Sequence, residues 1–167
     1  MRNWKAAWAV GAMVAAGGAV VSAQDVPETR NRVLRPAPIQ AALTLLRWPA
    51  HQVPQIEVIE VRPPQVNVLA EGWVFFKEDG NAWPTIYIAG WSPLYRGALA
   101  NPGRNQDAIR LAGVLAHERA HLDHGADEGR AYAAQLTTLT SLQAPVMDRV
   151  NVHRALQVVT RKQQARR

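Results

Sequence analysis

The chain has 167 residues, a formal net charge of +6 and no cysteine. That length supports one domain with one modest core, and no separate specificity subdomain is visible. Without cysteine, disulfides are excluded, so stability must come from packing and from any bound metal.

The chain opens with an address label. Arg2 and Lys5 precede an uncharged Ala/Val/Gly-rich run from Ala6 to Val21, and Val21-Ser22-Ala23 supplies the small residues a signal peptidase reads. Cleavage after Ala23 is expected, which makes residues 1–23 a signal peptide and 24–167 a single domain that is exported, either periplasmic or secreted. The run is short and weakly apolar for a membrane span, and no cysteine follows it to take a lipid. Processing removes Arg2 and Lys5 and leaves 144 residues with a net charge of about +4.

Gln24 to Arg35 is polar and without periodicity, so it reads as a flexible lead-in. Pro38 to Arg47 predicts a short helix with Pro in its first turn, stopped before Pro49. Ile56 to Arg62 mixes β-branched and charged residues and predicts an outer strand ended by Pro63-Pro64. Gly72 to Phe76 and Pro84 to Ala89 predict two further strands. The turn chemistry of Glu78-Asp79-Gly80-Asn81 between them predicts an antiparallel hairpin. Gly90 to Arg104, with two prolines and three glycines, reads as a loop whose Trp91 and Tyr95 anchor it to the domain.

Asn105 or Asp107 then starts a long helix that is apolar on most sides, through Ile109, Leu111, Val114, Leu115 and Leu122, and is therefore expected to be buried. Gly125 stops it. A second helix runs from Ala126-Asp127-Glu128 to about Leu142, and Pro145 introduces a third that extends to about Gln163. The expected fold class is α+β: a small antiparallel sheet on a bundle of about three helices.

Chemistry concentrates in His117-Glu118-Arg119-Ala120-His121. On a helix, residues four apart share a face, so His117 and His121 can aim two imidazoles at one metal ion. Glu118 lies beside that point but off the ligand line, where a carboxylate can take a proton from a water. Catalytic zinc usually has three protein ligands, and the tight turn after Gly125 would bring either Glu128 or Asp127 back as the third. Asp127 suits a helix cap and has the shorter side chain, whereas Glu128 has the reach.

The run from Leu111 to Leu136 resembles the zincin metallopeptidases, in particular the small gluzincin type. The resemblance implies a zincin-like fold, one Zn2+ per chain on His117, His121 and Glu128, and a third-ligand helix in which Ala131 and Tyr132 follow Glu128. Arg119 and Asp123 depart from the family pattern, which prefers an uncharged and an apolar residue there. The resemblance also implies that an edge strand, here Thr85 to Ala89, lies over the cleft and pairs with an extended peptide.

The expected function is peptide-bond hydrolysis by an exported zinc metallopeptidase, with Glu118 as general base and Tyr132 as an oxyanion or supporting residue. The alternative is an exported zinc-stabilised binding protein of the same fold without turnover. Glu118 separates the two, because a purely structural site gains nothing from an acid that is not a ligand. Expected partners are a peptide or protein substrate and no nucleic acid, with oligomeric state left open. Arg161-Lys162 and Arg166-Arg167 form a solvated basic end that could make weak contact with an anionic envelope surface. His51 reads as an exposed loop residue, His153 as a surface or packed residue, and His124 as a neighbour of the ligands or a surface residue rather than a ligand.

Overall fold

The computed structural model describes residues 35–101 and 105–165, so the expected signal peptide and nearly all of the lead-in lie outside the described residues. The elements follow in the order α1 (Ala37–Leu46), a 3-10 turn (Ala50–Gln52), β1 (Gln55–Ile59), β2 (Gly72–Trp73), β3 (Thr85–Ala89), α2 (Pro93–Ala100), α3 (Asn105–His124), α4 (Glu128–Ser141) and α5 (Val146–Gln164). The class is α+β, with five α-helices and a three-stranded sheet. No helix among the described residues is long and apolar enough to cross a membrane.

α3 is the axis of the molecule. It packs against α1, α2 and α4 and touches β2 and β3, which is why its sequence is apolar nearly all round. Leu111, Leu115, Ile39, Ile86 and Ile88 are among its fully buried neighbours and members, and each such side chain is worth about 1.5–3 kcal/mol relative to exposure. β3 alternates accordingly. Ile86 and Ile88 face the core around α3, while Tyr87 and Ala89 face a second cluster containing Val66, Ala70 and Trp73. Within that cluster Trp73 stacks on Tyr87 at 5.6 Å between centroids.

The sheet corrects two expectations. It is mixed rather than antiparallel, because β1 pairs parallel to β3 while β2 pairs antiparallel to it. Its order is β1-β3-β2, so Thr85–Ala89 is the central strand and cannot be the edge that takes up a peptide. The reason is burial: β3 is the most apolar strand and gains most from neighbours on both sides, whereas β1, with its charged residues, is at an edge as expected.

The segment read as a loop after Gly90 also differs. It contains α2, whose N-cap Ser92 accepts a hydrogen bond from the Tyr95 backbone N–H and whose first residue is Pro93. Ser-Pro acts here as a helix start rather than a breaker. The anchoring role of the aromatics is as expected. Tyr95 is 3% exposed in the main core, and Trp91 packs in the second cluster and donates its indole N–H to the Val68 carbonyl at 3.3 Å.

Candidate metal centre

The site is assembled at the turn between α3 and α4. Gly125 terminates α3 with φ +66°, a conformation that side-chain-bearing residues rarely adopt. Its N–H bonds to the His121 carbonyl at 2.9 Å, and its own carbonyl accepts from His121 Nδ1 at 2.8 Å. One residue thus ends the helix and fixes the His121 tautomer, leaving Nε2 with its lone pair exposed toward the interior. Asp127 caps α4 by accepting from the Arg130 N–H at 3.2 Å. Burial tends to raise its pKa, but hydrogen bonds from the Arg130 backbone and the Gln163 amide outweigh that and lower it.

Glu128, the first residue of α4, turns inward. Its Oε2 lies 3.6 Å from His117 Nε2 and its Oε1 lies 3.6 Å from His121 Nε2. The two Nε2 atoms are 3.2 Å apart. His117, His121 and Glu128 therefore form a group, with ligand atoms all within 4.8 Å of one another, that can hold a metal ion.

The donor set itself tests the fit. Both Glu128 oxygens are buried without a hydrogen-bond donor. Burial pushes His117 down to about 3, with His121 adding to the shift, so this imidazole is neutral near pH 7. His121 is lowered for the same reason, against the Gly125 carbonyl and Asp127. The result is a buried cluster of electron-rich atoms with at most one proton to share between the facing imidazoles. A cation satisfies all of them at once.

Aromatic rings hold the histidines in place. Tyr132 meets His117 edge-on at 4.7 Å between centroids, His117 meets His121 at 4.9 Å, and Phe76 meets His121 at 5.8 Å. Tyr132 lies one turn beyond Glu128 and is 5% exposed.

Glu118 stands apart from the ligands. It is 1% exposed, and burial, with Glu128 as the second cause, raises its carboxyl well above the usual range. Room for it comes from Gly72 of β2: a Cβ there would fall 2.9 Å from Val114 Cγ1 and 3.1 Å from Glu118 Cγ. A cavity opens beside it, lined by Glu71, Gly72, His117, Glu118 and Tyr132 on one side and by Asn151, Val152 and Ala155 of α5 on the other.

Arg119 and Asp123 sit on the outer face of α3. They pair with each other at 3.0 Å, and Arg119 also reaches the Gln52 carbonyl, so they fasten the 3-10 turn to the helix without entering the site. His124 is exposed beside Arg130, His153 is exposed beside Gln157, and His51 lies in the exposed 3-10 turn. None of the three belongs to the metal group.

Three lining residues were not anticipated from the sequence: Glu71, Gln135 and Asn151. Gln135 was within reach of sequence reasoning, since it lies seven residues, or two turns, after Glu128 and so on the same face of α4. It sits beside His117, where its amide favours a proton on the imidazole. His117 Nδ1 and Gln135 Oε1 are both buried without a partner in hydrogen-bond geometry, so a small adjustment joins them and presents Nε2 to a metal, as Gly125 does for His121. Gln135→Leu is expected to weaken zinc affinity about 10–100-fold in competition with a chromophoric chelator. Unchanged affinity would show that the His117 ring is held by packing alone.

The buried carboxyls also set a pH dependence for the metal-free protein. Burial raises Glu128 to about 7 and Glu71 to about 8. Both values exceed those of the unfolded chain, so the native state binds more protons between about pH 4.5 and 8 and loses stability as pH rises through that window. The histidines act oppositely, but only below their ordinary pKa of 6.5. From pH 6.5 to 8, urea unfolding of chelator-treated protein is therefore expected to show a loss on the order of 2–4 kcal/mol. A flat profile would mean that these carboxyls are solvated.

Compared with protein-family models, curated proteins and solved structures, the chain gives no match. The functional reading therefore rests on the geometry of the site.

Proposed function

We propose that the chain is a zinc-dependent peptidase, exported as the first 23 residues suggest, with a zincin-like arrangement of its helices. The observation that carries this reading is Glu118: a fully buried carboxyl beside the three-ligand group, on the cavity wall, and not itself a ligand. Burying such a group costs several kcal/mol unless it is paired or hydrogen-bonded, and a structural metal site has no use that would offset the cost.

His117, His121 and Glu128 would hold the ion. Zinc, when bound, supplies Lewis acidity that polarises a carbonyl and makes a water more acidic near neutral pH. Glu118 takes the proton of the attacking water and returns it to the leaving amine. Its raised pKa suits the first half of that cycle, since a carboxylate that is the weaker acid in protonated form is the stronger base toward the water, and it then carries the proton to the leaving amine. Tyr132, on the cavity wall, is the proposed donor to the developing oxyanion. The sheet edge that borders the cavity belongs to β2, so substrate main chain is assigned to Gly72–Trp73 rather than to β3.

The test is cleavage of a mixed peptide library by zinc-loaded protein with and without chelator. Chelator-sensitive cleavage supports the reading. Tight zinc binding with no cleavage would favour the zinc-stabilised binding protein instead.

A further inference from the structure

The cavity beside Glu118 does not end at the metal ligands. Glu71, Gln135, Asn151 and Val152 line it and also line an adjoining cavity whose far wall includes Arg110 and Asp148. Glu71 is fixed at the junction by its backbone, since its carbonyl accepts from the Ala89 N–H at 3.0 Å across the sheet.

No described residue gives the Glu71 carboxyl a hydrogen bond. Arg110 acts on it through space but is already committed, donating Nε to Asp148 at 2.8 Å and an NH group to Asp107 at 3.4 Å. One guanidinium thus faces three carboxyl groups, and Glu71 is the one it does not bond. The Gln135 amide, which faces His117, borders the same space. Glu71 is the acidic group common to both cavities, and Val114 and Val152 give the space an apolar flank suited to methylene groups.

We infer that this inner cavity is a recognition pocket for an ammonium or guanidinium group of the substrate, with Glu71 as its anionic partner. The inference rests on the peptidase reading for what carries that cation, either a Lys or Arg side chain near the scissile bond or a free amino terminus. Burial is the main reason that the Glu71 carboxyl is raised to about 8, with Arg110 opposing the rise and Asp148 adding to it. The group is therefore largely neutral near pH 7 in the free protein. An incoming cation takes the place of its proton, so the charge is created where it is paired.

The experiment uses zinc-loaded protein and its Glu71→Gln variant on peptide libraries that carry arginine or its neutral isostere citrulline around the cleaved bond, each with a free or an acetylated amino terminus. In the wild type one of the two rate ratios, arginine over citrulline or free over acetylated, is expected to be about tenfold or more, and in Glu71→Gln to fall to about one. Which ratio moves identifies the source of the cation. No preference in the wild type, or an equal preference in both proteins, overturns the inference. A second arm needs no turnover: arginine amide is titrated calorimetrically into zinc-loaded Glu118→Gln protein with and without Glu71→Gln. Binding that Glu71→Gln weakens about tenfold supports the pocket, and binding that is absent or indifferent to Glu71 overturns it. This arm decides the matter even where no peptide is cleaved and the peptidase reading has itself failed. If Glu71→Gln does not fold, the wild-type ratios and the titration on the Glu71 protein decide alone.

Discussion

Glu118→Gln is expected to retain one zinc per chain and to lose peptide hydrolysis by about 10²–10⁴-fold, the range attributable to a positioned general acid and base. The substitution is nearly isosteric. Glu118 fits beside Gly72, where its Cγ is 3.1 Å from the position a Cβ would take, and Gln keeps that shape. It removes only the ability to accept a proton and return it. Because burial already raises the Glu118 carboxyl, a neutral amide is no harder to bury, so the metal-free variant should be at least as stable as the wild type. Elemental analysis and library cleavage on the same sample check both halves. A variant with full zinc and wild-type rates would remove Glu118 from the chemistry.

The second large effect concerns adjacent acids with different tasks. Glu128→Ala is expected to weaken zinc binding about tenfold or more, since it removes the carboxylate that faces both imidazoles at 3.6 Å. It should also lower the melting temperature of the zinc-loaded form, because a weaker ligand stabilises less at fixed concentration. Asp127→Ala removes a cap that accepts from the Arg130 N–H and should cost only about 1 kcal/mol, with zinc affinity little changed. Titration of both variants, followed by thermal melts with and without zinc, separates the roles. The reverse order would make Asp127 the ligand.

The site was far more legible in the sequence than the sheet that supports it, for a geometric reason. His117, His121, the break at Gly125, the cap at Asp127 and the reach of Glu128 are all short-range relations, and helical periodicity converts spacing directly into a shared face. Strand order is a long-range property. Nothing in Thr85–Ala89 says which neighbours flank it, so its central place between β1 and β2 could not be read from its residues. α2 was missed because Ser92-Pro93 serves equally as a turn or as a helix start, and burial of Tyr95 decided between them. Glu71 was invisible for a related reason. A lone glutamate between Ala70 and Gly72-Trp73 looks solvated until α4 and α5 are laid over it.

The turn at Gly125 has a consequence for how the molecule comes together. All three members of the metal group fall between His117 and Glu128, on two helices separated by Gly125, Ala126 and Asp127. Closing so short a loop costs little chain entropy, so the ion can be captured as soon as α3 and α4 meet, without waiting for β1 and β3 to find each other across the 25 residues between Ile59 and Thr85. In a chain that has no cysteines, the metal would then do early in folding what a disulfide does in other proteins, pinning two neighbouring segments while the slower long-range pairing proceeds.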